Sequence, residues 1–177
     1  PEEINRVMTD HASDLLFAPS ESAAETLAEE GITEGVHVTG DVMYDAILCA
    51  RDVAAEQSDV HDRLGLAEGE FVLATVHRAG NTDDPDRLEA IIKGLSEASL
   101  PVVLPTHPRT KNRLEEFGLD KQAESALTMI NPVGYLDFVR LLDGAERVAT
   151  DSGGVQKEAF YLDTVCVTMR DETEWVE

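Results

Sequence analysis

Residues able to do chemistry gather at a few corners of this sequence. His77-Arg78 follows the apolar run FVLATV, and Thr106-His107-Pro108-Arg109 follows PVVLP. Asp151-Ser152-Gly153-Gly154 follows RVAT, and Arg170-Asp171 follows CVTM. The Asp-Ser-Gly-Gly corner has the clearest chemistry. Gly153 and Gly154 let a ligand come close to the backbone. Ser152 adds a hydroxyl, and the helix expected over VQKEAFYL offers unpaired N–H groups and its positive dipole end to an anion. Glu158 lies about one turn into that helix. The pattern is neither GxGxxG nor a Walker loop, which sets aside the usual dinucleotide and P-loop sites. The competing reading is a tight turn closed by a serine cap.

The other corner residues each admit two uses. His77 serves as a general acid/base, a phosphate partner or a structural histidine, and His107 is equally open. Arg78, Arg109 and Arg170 either neutralise a ligand phosphate or pair with the many carboxylates. Tyr135 and Phe138, at i and i+3 in YLDFVRLL, read first as core packing and second as a stacking surface for a base. Glu2 and Glu3 are adjacent carboxylates that nothing local separates from solvated surface. Two histidines and three arginines at one edge, beside a glycine-rich anion corner, favour a phosphate-bearing ligand.

The elements that position these corners form an alternating series. LLFAPS reads as a strand, followed by a helix capped by Ser20 and ended by Gly31. VHVTG is a short strand, and Asp41 opens a long amphipathic segment. Residues 58–69 are polar and turn-rich, which predicts a domain junction there. FVLATVH, PVVLPT, ALTMIN, RVAT and TVCVTM read as buried strands. Helix candidates DPDRLEAIIKGLSEA, PRTKNRLEEFG, GYLDFVRLLDG and GGVQKEAFYL lie between them. Strand and helix alternating in this way predict βαβ units, a parallel sheet, and a ligand crevice beyond the carboxyl ends of the strands.

Composition limits the partners. The 177 residues hold 36 Asp+Glu against 14 Lys+Arg, a formal net charge of −22. So negative a field repels phosphate backbones and anionic lipids, which argues against nucleic acid and membrane surfaces. The carboxylates are spread along the chain, the pattern expected of solvation in high salt. Cys49 and Cys166 sit in apolar runs, which predicts buried unpaired thiols, a reducing cytoplasm and no metal site. The chain opens on Pro1 and closes on DETEWVE without a closing helix, which suggests part of a longer protein.

Taken in order, PEEINR (1–6), ITEGVHVTGDVMYDA (32–46), TVHRAGNTDD (75–84), PTHPRT (105–110), YLDF (135–138), DSGGVQKE (151–158) and MRDETEW (169–175) resemble the non-hydrolysing UDP-N-acetylglucosamine 2-epimerases, in forms closer to the archaeal members. The resemblance implies an α/β fold with two Rossmann-like domains in the GT-B architecture. Residues 1–65 would be the end of the first domain and the connection, and 66–177 an incomplete C-terminal UDP-binding domain. It implies interconversion of UDP-GlcNAc and UDP-ManNAc by anti elimination of UDP and re-addition, with no cofactor, in a cytoplasmic homodimer. Carried over by motif, Ser152, Gly153 and Gly154 would hold the diphosphate and Glu158 the ribose. His107 and Phe138 would contact the nucleotide, with Arg170 also binding substrate. Glu2 and His77 match catalytic positions. Three positions depart from the family pattern: Gly80 and Lys157 replace carboxylates, and Trp175 replaces an arginine. Rival expectations are a close variant acting on a 2,3-diacetamido uronate, a GT-B glycosyltransferase using a UDP-sugar, and a fragment that binds UDP without turnover.

Overall fold

The structure, a computed structural model, describes residues 2–171 and Thr173, and of Glu2 the backbone alone. The chain divides into two compact units, Pro1–Ala46 and Ile47–Glu177. In the first, α1 (Glu2–Ala12) is followed by β1 (Leu16–Ala18), α2 (Glu21–Glu29) and β2 (Val36–Val38). The two strands are parallel, with Leu16 opposite Val36 and Ala18 opposite Val38. Ser20 caps α2, its hydroxyl accepting from the Ala23 N–H at 3.1 Å. Arg6 of α1 ties the unit together, donating to Glu3 and Asp10 on its own helix and to Glu30 at the end of α2. Strand alternation leaves Leu16 and Ala18 buried and Phe17 exposed.

The chain continues through α3 (Val42–Gln57), α4 (Val60–Leu64), β3 (Val72–Thr75), α5 (Ala79–Thr82) and α6 (Pro85–Ser96). Next come β4 (Val102–Pro105), α7 (Pro108–Phe117), α8 (Asp120–Ala126) and β5 (Thr128–Ile130). Last are α9 (Tyr135–Gly144), β6 (Arg147–Thr150), α10 (Gly153–Tyr161) and β7 (Val165–Thr168). Strands β3 to β7 form one parallel sheet in the order β5-β4-β3-β6-β7. The chain therefore starts at the centre, winds out to β5, and returns through α9 to the other side of β3.

That reversal places helices on both faces, and the alternating side chains of each strand supply two cores. Val72, Ala74 and Val76 pack with Leu88, Ile92 and Leu95 of α6 and Leu114 of α7. Phe71 and Leu73 belong to the opposite core, with Leu141 and Leu142 of α9, Ala159 of α10 and Val60. Helix starts follow local chemistry. Asp84 accepts from the N–H groups of Asp86 and Arg87 while Pro85 sets the first turn of α6, a cap worth about 1 kcal/mol.

Four expectations need correction. The 58–69 segment is not all turn: α4 occupies 60–64, with Val60 and His61 buried. Ser58 and Arg63 fix that segment on Asp137 of α9. Two short helices, α5 and α8, lie where none was expected, being only 4 and 7 residues long. The outer strand β7 is not buried, since Val165 and Val167 are 61% and 49% exposed at the sheet edge. Cys49 is exposed and Cys166 half-buried. Cys49 lies two residues after the buried Ile47, and two helical steps turn it to the far face of α3.

Candidate functional site

In a doubly wound sheet the crevice opens where the winding reverses, here between the carboxyl ends of β3 and β6. Register fixes what emerges there. Thr75 pairs with Thr150 on the last rung, and their hydroxyls share a hydrogen bond. His77 thus leaves one strand beside the point where Asp151-Ser152-Gly153 leaves the other.

Asp151 is the hub of this crossing. It is fully buried, and its carboxylate accepts from the His77 N–H (3.0 Å), the Arg78 N–H (2.9 Å) and Asn81 Nδ2 (3.0 Å). The His77 ring stands against the same carboxylate, Nδ1 to Oδ1 at 3.2 Å. Burial works against the charge. The donors from His77, Arg78 and Asn81 outweigh it and hold the carboxyl below the ordinary aspartate value. A fixed buried carboxylate on Nδ1 orients the imidazole, whose side chain is 42% exposed. Asn81 also donates to the Met169 carbonyl at 2.8 Å, tying the turn after β3 to the segment after β7.

Helix α10 starts on the other lip. Ser152 is its N-cap, with its Oγ 3.4 Å from the Val155 N–H, and its own N–H donates to Thr150 Oγ1 at 3.0 Å. A Cβ placed on the exposed Gly154 would meet only Ser152 Oγ, at 3.8 Å. The bare backbone there leaves the first turn open to an anion. His107 caps α7, and its ring centroid lies 6.2 Å from that of His77. Arg78, Arg87 and Arg170 line a cleft of about 420 Å³ with Gly80, Asn81 and Asp171. Arg87 is held by Asn81 Oδ1 (2.8 Å) and Asp171 (2.9 Å).

Glu158, on α10, is 9% exposed, and its Oε1 accepts from the Tyr135 hydroxyl at 3.0 Å. Burial raises the Glu158 pKa against the lowering effect of that bond. Phe138 is half-buried and packs on the core beneath α9. Arg109 takes the structural of its two uses: it donates to Asp83 and to Thr82. Gln156 is buried, and its Oε1 accepts from Thr173 at 2.7 Å.

The structure thus brings His77, His107, Ser152, Gly153, Gly154, Glu158 and Arg170 to the carboxyl side of one sheet. The Glu2 side chain and Trp175 lie outside the described residues. Asp151 and Asn81 were not singled out in the sequence as site residues. Asp151 stood in plain view in the DSGG run, but its role depends on a register between strands about 75 residues apart. Among the described residues, no three His, Cys, Asp or Glu side chains converge to hold a metal, and no helix is long and apolar enough to cross a membrane.

A parallel doubly wound sheet with a glycine-rich helix N-terminus at its switch point defines an α/β unit of the Rossmann-like kind. Comparison with known proteins narrows this. The profile described as UDP-N-acetylglucosamine 2-epimerase matches residues 1–177, and the chain belongs to that family. A Pseudomonas aeruginosa UDP-2,3-diacetamido-2,3-dideoxy-D-glucuronate 2-epimerase is 47% identical over 184 residues, covering 100% of this chain and 49% of that protein. A Methanococcus maripaludis UDP-N-acetylglucosamine 2-epimerase homolog is 46% identical over 180 residues, covering 100% of this chain and 50% of its own length. Among solved structures, the Methanocaldococcus jannaschii UDP-GlcNAc 2-epimerase in complex with UDP-GlcNAc and UDP superposes with a TM-score of 0.86 at 43% identity, over 98% of this chain and 50% of that one. The chain spans about half the length of the curated relatives it matches.

Proposed function

We propose that the protein carrying this chain is a UDP-N-acetylglucosamine 2-epimerase that interconverts UDP-GlcNAc and UDP-ManNAc. The observation that carries the reading is the convergence of His77, Asp151 and the N-terminus of α10 at one switch point, within a family match that runs the whole chain. In this reaction a base removes the C2 proton as the C1–O bond to UDP breaks, leaving a 2-acetamidoglucal. UDP oxygen then re-forms the bond to C1, and C2 takes a proton on the opposite face. The departing diphosphate needs fixed N–H donors and positive charge, since charge develops on its oxygen as the bond breaks.

The N–H groups at Gly153 and Gly154 and the Ser152 hydroxyl answer that need, and His77 stands beside them at the diphosphate. Glu158 receives the ribose, His107 and Phe138 flank the nucleotide, and Arg170 adds positive charge. Glu2 serves as acid or base. Residues 1–65 form the end of an N-terminal Rossmann-like domain and its connection, and residues 66–177 the UDP-binding domain of a GT-B enzyme. We place the enzyme in the cytoplasm as a homodimer, in a cell with high internal salt.

A second reading has its own support. The Pseudomonas aeruginosa relative named for a diacetamido uronate is as similar to this chain as the archaeal homologue. The discriminating experiment offers the full-length protein UDP-GlcNAc and the UDP-2,3-diacetamido uronate separately, without an acceptor. Conversion of UDP-GlcNAc to UDP-ManNAc supports the first reading. Conversion of the uronate alone replaces it with the second. Turnover that needs an added acceptor sinks both in favour of a glycosyltransferase.

A further inference from the structure

Helix α9 starts at Tyr135, directly after the loop that leaves β5, and α10 starts directly after β6. Both starts lie on the carboxyl side of the sheet, and one side-chain bond joins the two helices there. The Tyr135 hydroxyl donates to Glu158 Oε1 at 3.0 Å. The two partners differ sharply in exposure: Tyr135 is 48% exposed, Glu158 only 9%. A surface tyrosine thus reaches down to hold a buried carboxyl.

The bond fixes one oxygen of that carboxyl and leaves Oε2 to another donor. Burial and the Tyr135 hydroxyl are the two influences on its ionisation, and they oppose each other. The Tyr135 phenol is itself pushed up to about 12 by burial and by the Glu158 charge, so it stays protonated and can only donate to the carboxyl. Glu158 stands five residues beyond Gly153, about 7.5 Å along the helix from its N-terminus. A carboxylate set at that distance from an anion site suits hydroxyls on the next unit of a bound nucleotide.

We infer that Tyr135 is a positioning residue that acts through Glu158: by occupying Oε1 it fixes the carboxylate so that Oε2 accepts from the ribose hydroxyls of UDP. This rests on the assignment of Glu158 to the ribose. Phenylalanine at 135 keeps the ring and removes only the donor. Without the donor, the carboxyl is free to rotate and, as burial is no longer opposed, holds its proton to higher pH.

The test measures binding of UDP and of 2′,3′-dideoxy-UDP to the full-length protein and to its Tyr135→Phe variant across a pH series. Of the Glu158 bond to the ribose only the positioning share is lost in the variant. The expected result is UDP binding weakened about tenfold, about 1.4 kcal/mol, with dideoxy-UDP binding unchanged. The acid limb of UDP binding should also move to higher pH in the variant. Equal weakening of both ligands, or no weakening of either, overturns the role of Tyr135. Wild-type protein that does not discriminate UDP from dideoxy-UDP removes Glu158 from the ribose and takes this inference with it. Wild-type protein that fails to bind UDP overturns the proposed function as well.

Discussion

Asp151 holds His77 from two directions at once, through the backbone N–H at 3.0 Å and through Nδ1 of the ring at 3.2 Å. The carboxylate comes from β6 and the histidine from β3, so the pairing exists only because the two strands are neighbours. The imidazole therefore takes its orientation from the centre of the sheet.

If that orientation matters, Asp151→Asn should lower turnover of the full-length enzyme by roughly 10²–10⁴-fold, as the ring loses the partner that sets its tautomer. Steady-state kinetics, with circular dichroism to check the fold, measures this. A loss under about threefold would show that His77 needs no such support. The same carboxyl gives an acid limit to stability. Its folded pKa lies below the ordinary 3.8, so its contribution is present above that value and is lost as pH falls through the folded one.

Gly154 separates ligand binding from folding. Its added Cβ would find only an ordinary contact, 3.8 Å from Ser152 Oγ, so Gly154→Ala should melt within about 2 °C of wild type. The methyl would instead stand over the first turn of α10, where the diphosphate is proposed to lie. UDP affinity should fall about tenfold or more, read by calorimetry. Unchanged affinity would remove the diphosphate from that turn.

How much of this was legible beforehand differs by length scale. The alternation FVLATV, PVVLP, TMI, RVAT and VCVT marks every strand of the larger sheet, because β-branched residues recur between helix patterns of period 3.6. Ser20 and Gly31 punctuate α2 through local chemistry, so they too were readable. The spacing did not reveal that Tyr135 reaches Glu158 or that Arg109 is engaged by Asp83, since both depend on helix placement across the sheet. Helix α4 was hidden for another reason. Its five residues are too few for a period, and its buried His61 looks polar on paper.

His61 itself makes a testable joint between α4 and α9. Gly144 leaves room for the ring: a Cβ there would come within 2.3 Å of His61 Cε1. The ring also meets Phe71 edge-on at 5.6 Å. Gly144→Ala should therefore destabilise the protein by roughly 1–3 kcal/mol in urea titration, and His61→Ala in the same chain should recover much of the loss. Additive losses would contradict the contact.

The same histidine should give a pH signature. Burial, then the nearby Arg140 charge, lower its pKa below 6.5, against the pull of Glu68 and Asp143. The fold favours neutral His61, so its contribution is intact above 6.5 and falls as pH drops from there through the folded value. Melting temperatures on either side of 6.5 should show this slope in wild type and a shallower one in His61→Leu. Identical slopes would rule out the histidine as its source.

The charge of −22 predicts a salt requirement. At low ionic strength the carboxylates repel across the surface, and screening to a Debye length of about 3 Å at 1 M salt removes most of that cost. Melting temperature should rise steadily with added KCl. A flat or falling curve would count against the salt-adapted reading.

The most direct test of the central claim is proton exchange at one carbon. The full-length protein, given UDP-GlcNAc in D₂O at high salt and no acceptor, should place deuterium at C2 of the sugar, read by NMR. Exchange at C2 without any acceptor is the predicted result. An intact C2–H bond, with turnover appearing only when an acceptor is supplied, would contradict the account.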